Sequence, residues 1–157
     1  MARPSDEAAE AILETVPLIM RTIRREMRSQ SGPEMSIPSF RTLTYLNHHQ
    51  GASLSEVAEH MGLTPPSVCK MIDGLVSRGL VQRVTSPDDR RRVELALTPA
   101  GQAMLRSARA HTQSRLAEML AGLSPEQLTQ VAQSLKTLRA VFGTESDLTF
   151  GTGLKED

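Results

Sequence analysis

The chain has 157 residues, enough for one domain of ordinary size or one domain with a closely attached extension. Eighteen Lys/Arg balance eighteen Asp/Glu, so total charge makes no case for a polyanion partner. One cysteine excludes an internal disulfide framework and suits a reducing compartment, and no stretch approaches the roughly 20 apolar residues of a membrane span. With no secretory pattern at its start, the chain is expected in the cytoplasm and away from membrane. No Trp, one Tyr and three Phe leave the core to aliphatic residues and eight Met.

Punctuation cuts the chain into helices. Ser5 or Asp6 can start the first, in which Ile12, Val16, Ile19, Ile23 and Met27 recur every three or four residues on one face. Gly32-Pro33 ends it. Ser36 can cap a second helix with Phe40, Leu43 and Leu46 inward, closed by Gly51. Ser53-Leu54-Ser55-Glu56 is a capping box, opening a short helix that buries Val57, Ala58 and Met61 and stops at Gly62. Thr64 caps the next, with Pro65 at the first helical position, where a missing N–H costs little. Its core stripe is Val68, Met71, Ile72 and Leu75, and Gly79 stops it.

From Leu80 the period changes. Leu80 to Thr85 reads as a strand. Val93, Leu95 and Leu97 alternate with Glu94 and Ala96 as a second, and the polar turn Ser86 to Arg90 lies between them. Thr98-Pro99 opens a long helix carrying Leu105, Ala108, Thr112, Leu116 and Met119, running to Gly122. Ser124-Pro125-Glu126-Gln127 opens the last, lined by Leu128, Val131, Leu135, Leu138 and Phe142. The polar tail after Gly143 is expected to be mobile.

Two helices joined by a short turn and followed by a hairpin with a basic tip describe a winged helix-turn-helix. The fold expected is mainly α with a small β-hairpin wing. Residues 36–101 form the winged module, 1–35 and 102–143 a helical dimerisation region, and 144–157 a tail. Lys70 to Arg92 carries six Lys/Arg against three Asp/Glu, a basic strip inside a neutral chain.

The helix from Pro65 to Arg78 turns Pro66, Lys70, Asp73 and Gly74 away from its core stripe, with Ser67 and Cys69 on the flanks. A helix of this width fits a major groove, and its N-terminus suits phosphate. Arg90, Arg91 and Arg92 follow the hairpin turn, from which one guanidinium can enter a minor groove. Asp89 is expected to bond the Arg91 guanidinium and hold it at a fixed angle.

Residues 53–101 resemble the multiple-antibiotic-resistance regulator (MarR) family. The stretches that carry the likeness are Leu63-Thr64-Pro65-Pro66-Ser67-Val68, Gly79-Leu80-Val81-Gln82-Arg83, Asp88-Asp89-Arg90-Arg91 and Leu97-Thr98-Pro99-Ala100-Gly101. The resemblance implies a homodimer on double-stranded, pseudo-palindromic DNA, with terminal helices interleaved. It implies a transcription regulator, commonly a repressor, that a small phenolic or aromatic acid releases from DNA. The effector pocket would lie between the dimerisation helices and the winged module. The residues assigned to DNA are Thr64, Pro65, Pro66, Ser67, Cys69, Lys70, Arg83, Asp89, Arg90 and Arg91.

The family often has Thr at position 69 and a basic residue at 74, where this chain has Cys69 and Gly74. Cys69 raises a thiol switch as an alternative mode of response. A winged helix used only as a protein-interaction module, or a ligand binder whose DNA half has decayed, are the rival functions. His48 and His49 point about 100° apart on a helix, and His60 and His111 are remote, so no metal is expected. No nucleophile–base grouping, paired carboxylates or phosphate loop appears, so neither an enzyme nor a cofactor is expected.

Overall fold

The computed structural model describes residues 3–32 and 35–143. It contains helices α1 (Pro4–Ser31), α2 (Ile37–His48), α3 (Leu54–Met61) and α4 (Pro65–Ser77). Strands β1 (Val81–Thr85) and β2 (Val93–Leu97) follow, then helices α5 (Pro99–Leu120) and α6 (Pro125–Phe142). Pro33 and the 144–157 tail lie outside the described residues.

Capping sets most boundaries. Ser36, Ser53, Thr64 and Ser124 each accept a backbone N–H three residues on, and Ser53–Glu56 and Ser124–Gln127 complete reciprocal capping boxes. Gly62 closes α3 in the left-handed conformation (φ 64°), as its sequence position requires. Several boundaries differ from expectation: β1 starts at Val81 rather than Leu80, α4 ends at Ser77 rather than Arg78, and α5 ends at Leu120 rather than Gly122. α1 begins at Pro4, with Arg3 as its cap and its side chain on Asp6, because proline suits the first helical position. α2 ends at His48 and leaves Gly51 to turn the chain at φ 86°.

The chain divides into two compact units, residues 1–114 and 115–157. In the first, Leu43 and Leu46 of α2, Val57 of α3, Val68 and Ile72 of α4 and Leu95 of β2 are fully buried together. Met27 of α1 and Met104 and Leu105 of α5 pack against this core. The hairpin pairs β1 and β2 antiparallel, with Val81 opposite Leu97 and Thr85 opposite Val93. Leu95 and Leu97 point inward as expected, but Val93 is 46% exposed. It pairs at the outer end of the ladder, past the reach of the core.

Thr98 and Gly101 anchor α5 to the start of the hairpin. The Thr98 hydroxyl donates to the Gly79 carbonyl (2.5 Å) and accepts the Gly101 N–H (3.0 Å). A Cβ at Gly101 would collide with the Leu80 backbone carbonyl, so only glycine lets the helix approach this closely. Near the other end of the core, Glu26 of α1 is buried and takes contacts from Arg25 (3.2 Å) and the His111 Nε2 of α5 (3.3 Å).

In the second unit no residue of α6 is buried; Leu135 is 54% exposed, and Leu128, Val131, Val141 and Phe142 are also open. Much of α1 is the same, with Leu13, Val16, Leu18, Ile19 and Met20 exposed. The apolar faces read in these helices are real but unfilled within one chain. Among the described residues, no helix is long and apolar enough to cross a membrane.

Candidate nucleic-acid interface

Helix α4 presents two unlike faces. Val68, Ile72 and Leu75 are buried, Met71 is half-buried, and Thr64, Pro65, Pro66, Ser67, Lys70, Asp73 and Gly74 are exposed. Cys69 is half-buried on the flank. The first turn is held by Thr64, whose hydroxyl accepts the Ser67 N–H (3.4 Å) and donates to the Ser67 hydroxyl (2.9 Å). The two prolines carry no N–H, so the free backbone donors at this terminus are fewer than in an ordinary helix. Gly74 leaves open space: a Cβ there would meet nothing within 4 Å.

The wing supplies the second patch. Its tip is a tight turn in which the Ser86 N–H donates to the Arg92 carbonyl (2.8 Å) and the Arg92 N–H to the Asp89 carbonyl (3.0 Å). The Asp89 carboxylate accepts the backbone N–H of Arg91 (2.9 Å), not its guanidinium. This corrects the expected contact: an aspartate two residues before an N–H closes a local turn more readily than it reaches along a long side chain. Asp89 therefore fixes the backbone from which Arg91 projects. Arg90 and Arg91 are exposed, and neither guanidinium is paired to a carboxylate among the described residues.

Two other basic side chains of the strip are committed. Arg83 of β1 is bonded to Asp73 of α4, which ties that helix to the wing strand. Arg92 reaches Glu56 of α3 (3.3 Å). The same Glu56 carboxylate accepts the Ser53 backbone N–H (2.6 Å). That hydrogen bond holds its carboxyl below the usual range, with Arg92 adding to the effect. The sequence-predicted residues thus fall into two exposed clusters, on the start of α4 and on the wing tip, with Arg83 braced between helix and strand. The Arg83–Asp73 and Arg92–Glu56 ties went unread, since ten and 36 positions of separation leave no local signal.

Two further features line this module. Tyr45 of α2 is stacked between His49 (ring centroids 4.2 Å apart) and His60 of α3 (4.3 Å). Burial, then the charges of Glu56 and Glu59, push the Tyr45 hydroxyl's pKa up. His49 and His60 therefore lie on opposite faces of one phenol ring, and among the described residues no group of three metal-ligating side chains is assembled. A cavity of about 460 Å³ opens between the start of α2 and α4, lined by Ser36, Leu63, Ser67, Lys70, Met71 and Arg78 among others. It lies within the helix-turn-helix, whereas the family resemblance placed an effector pocket beside the dimerisation helices.

Residues 35–93 match the model of the MarR family. Among curated proteins, the chain is similar to the uncharacterized HTH-type transcriptional regulator YfiV of Bacillus subtilis. The two are 32% identical over 105 residues, covering 67% of this chain and 66% of YfiV. It is 27% identical over 131 residues to the HTH-type transcriptional repressor MdtR of the same organism, covering 83% and 84%. Among solved structures, RV1404 from Mycobacterium tuberculosis has a TM-score of 0.77 at 25% identity, covering 91% of this chain and 97% of that one. A substituted MepR of S. aureus bound to an oligodeoxyribonucleotide has the same fold, with a TM-score of 0.64 at 18% identity and coverage of 85% and 96%. The helix-turn-helix with its hairpin and the matched residues agree: this chain belongs to the MarR family of winged helix-turn-helix transcriptional regulators.

Proposed function

We propose that the protein is a homodimeric DNA-binding repressor that sets one α4 helix per subunit in the major groove and one wing arginine, Arg91, in the adjacent minor groove of a pseudo-palindromic operator. The observation that carries this reading is the pair of exposed clusters. Lys70 and Ser67 on α4, and Arg90 and Arg91 on the wing, carry charge or donors unmet by any carboxylate among the described residues. Thr64, Pro65 and Pro66 allow close backbone approach at the helix start, and Asp89 sets the direction of the wing tip. Arg83 acts through its tie to Asp73, positioning the wing against α4. The exposed apolar residues of α1 and those of α6 each favour a dimer, since exposed apolar faces mark a partner. The repressor role is favoured by the similarity to MdtR.

The effector we propose is a small aromatic acid, and the open groove between α2 and α4 is the site proposed for it. Its carboxylate would meet Lys70 and Arg78, and its ring would meet Met71 and Leu63. Because Lys70 and Ser67 line that cavity and also serve the DNA face, an occupant competes with the operator.

A mobility-shift assay with the promoter region upstream of the protein's own gene tests the reading. Specific binding is expected to weaken steeply with salt. Arg91→Ala should weaken it by roughly 1–3 kcal/mol per site while the dimer survives. Unchanged affinity of Arg91→Ala at moderate salt would remove the wing from the interface, and salt-independent association would favour a protein-interaction module.

A further inference from the structure

The hairpin is held to the rest of its unit unevenly along its length. At its inner level, Ala52, just ahead of α3, bridges to Leu95 of β2. The Leu95 N–H donates to the Ala52 carbonyl (2.8 Å) and the Gly51 N–H to the Leu95 carbonyl (3.0 Å). Arg83, which pairs opposite Leu95 in the ladder, is tied to Asp73 of α4 at the same level. Farther out the support thins. From Gln82 to Val93 every residue but Ser86 is exposed. Among the described residues from Val84 to Val93, Arg92 is the one whose side chain bonds a partner outside the hairpin, reaching Glu56 at 3.3 and 3.4 Å.

Arg92 also closes the tip turn, since its carbonyl accepts the Ser86 N–H and its own N–H donates to the Asp89 carbonyl. Its side chain therefore carries the position of the turn to Glu56. That carboxylate is itself fixed, because it accepts the Ser53 N–H (2.6 Å) in the capping box of α3. So β2 is attached to the start of α3 twice, by backbone at Leu95 and by a side chain at Arg92. Three residues of strand, about 10 Å, separate the two points. One attachment is a pivot; two fix a direction. Arg91 stands one residue nearer the tip than the outer attachment. A half-exposed ion pair adds little to folding stability, but it can restrain an otherwise free element. A wing that swings in the free protein must be stilled when Arg91 enters a groove, and that ordering weakens binding.

We propose that Glu56 and Arg92 are positioning residues for DNA binding: their ion pair holds the outer wing on the start of α3 and so aims Arg91. This rests on the DNA reading above and names what keeps one of its contacts in place. Arg92 itself stays on Glu56 and makes no phosphate contact.

Glu56→Gln isolates the pair. A Gln side-chain carbonyl serves the same capping role in α6, where Gln127 accepts the Ser124 N–H (2.9 Å), so the variant keeps the start of α3 and loses the charge that holds Arg92. Two measurements on the full-length protein test the proposal. In the free protein, amide hydrogen exchange at residues 86–92 should quicken in Glu56→Gln while α3 stays protected. In the mobility-shift assay with promoter DNA, Glu56→Gln should bind about two- to tenfold more weakly. The sign is diagnostic, because removing a negative charge beside a polyanion would by itself tighten binding. The slope of affinity against salt should stay as in wild type, and the added loss should vanish in an Arg91→Ala background. Arg92→Gln should repeat this pattern, and Arg92→Lys should restore part of the affinity.

Equal or tighter binding by Glu56→Gln would overturn the proposal, and a salt slope steeper by about one per wing would then show Arg92 released onto phosphate. Unaltered wing exchange, or a loss undiminished in the Arg91→Ala background, would overturn it equally. If Glu56→Gln does not fold, Arg92→Gln decides: a flatter salt slope makes Arg92 a phosphate contact, and weaker binding at an unchanged slope makes it a positioning residue. Quickened wing exchange in the variant of a protein whose wild type binds no promoter DNA would sink the DNA reading and leave the tie between wing and α3 standing.

Discussion

Helices α4 and α6 carry the same kind of apolar stripe, and they use it in opposite ways. α4 buries Val68, Ile72 and Leu75 inside its own chain and leaves a polar face open. α6 buries none of its residues, and Leu135 and Phe142 stay exposed. Periodicity reports that a face wants covering; it does not report by what. The folded module of α2–α4 and the wing covers its apolar faces within one chain, whereas those of α1 and α6 stay open.

That contrast can be broken or sharpened by substitution. The largest effect is expected at Gly101. Gly101→Ala forces a methyl group into the Leu80 carbonyl, and the shift of α5 or β1 should cost roughly 3 kcal/mol or more by thermal unfolding. Next comes a matched pair. Leu43→Ala empties a fully buried site and should cost about 2–5 kcal/mol at any protein concentration. Leu135→Ala should leave the dilute chain's stability nearly unchanged and lower the melting temperature only where protein concentration supports the dimer. Equal losses at all concentrations would show that α6 is packed within the chain after all. Thr64→Ala should cost about 1 kcal/mol through the lost cap of α4, visible in denaturant unfolding.

The smallest effect concerns acid. Glu56 has a folded-state pKa below its ordinary value, because the Ser53 N–H and then Arg92 favour its carboxylate. Its contribution is therefore fully present above the ordinary carboxylate pKa and is lost as pH falls through the depressed folded value. Glu56→Gln should flatten the acid limb of the stability curve slightly and leave stability near neutrality only a little lower. An unchanged acid limb would show that the half-exposed ion pair with Arg92 and the capping bond contribute little.

Sequence reading located every helix and both strands of the described residues because capping residues and glycines act locally. Ser53 with Glu56, Thr64 with Pro65 and Ser124 with Gln127 stand where the helices begin. The two exposed clusters of the interface were legible for the same reason: a helix start and a hairpin tip are short-range objects. What could not be read needed distance. Arg83 meets Asp73, Arg92 meets Glu56, and Glu26 meets His111 only after the chain has packed. Asp89 and Arg91 were associated correctly, but the partner atom was not, because spacing of two residues allows both a backbone turn and a side-chain pair. The role of Gly101 was legible only as a shared motif; its cause is the nearness of the Leu80 backbone, just ahead of β1 and far back along the chain.

The stack of His49, Tyr45 and His60 has an experimental consequence. The chain has one tyrosine and no tryptophan, so Tyr45 is the one side chain that emits when the phenol band is excited. Emission excited near the phenol absorption band originates at the seam between α2 and α3 and nowhere else. Any event that parts those rings registers optically, without a label, within the winged helix-turn-helix.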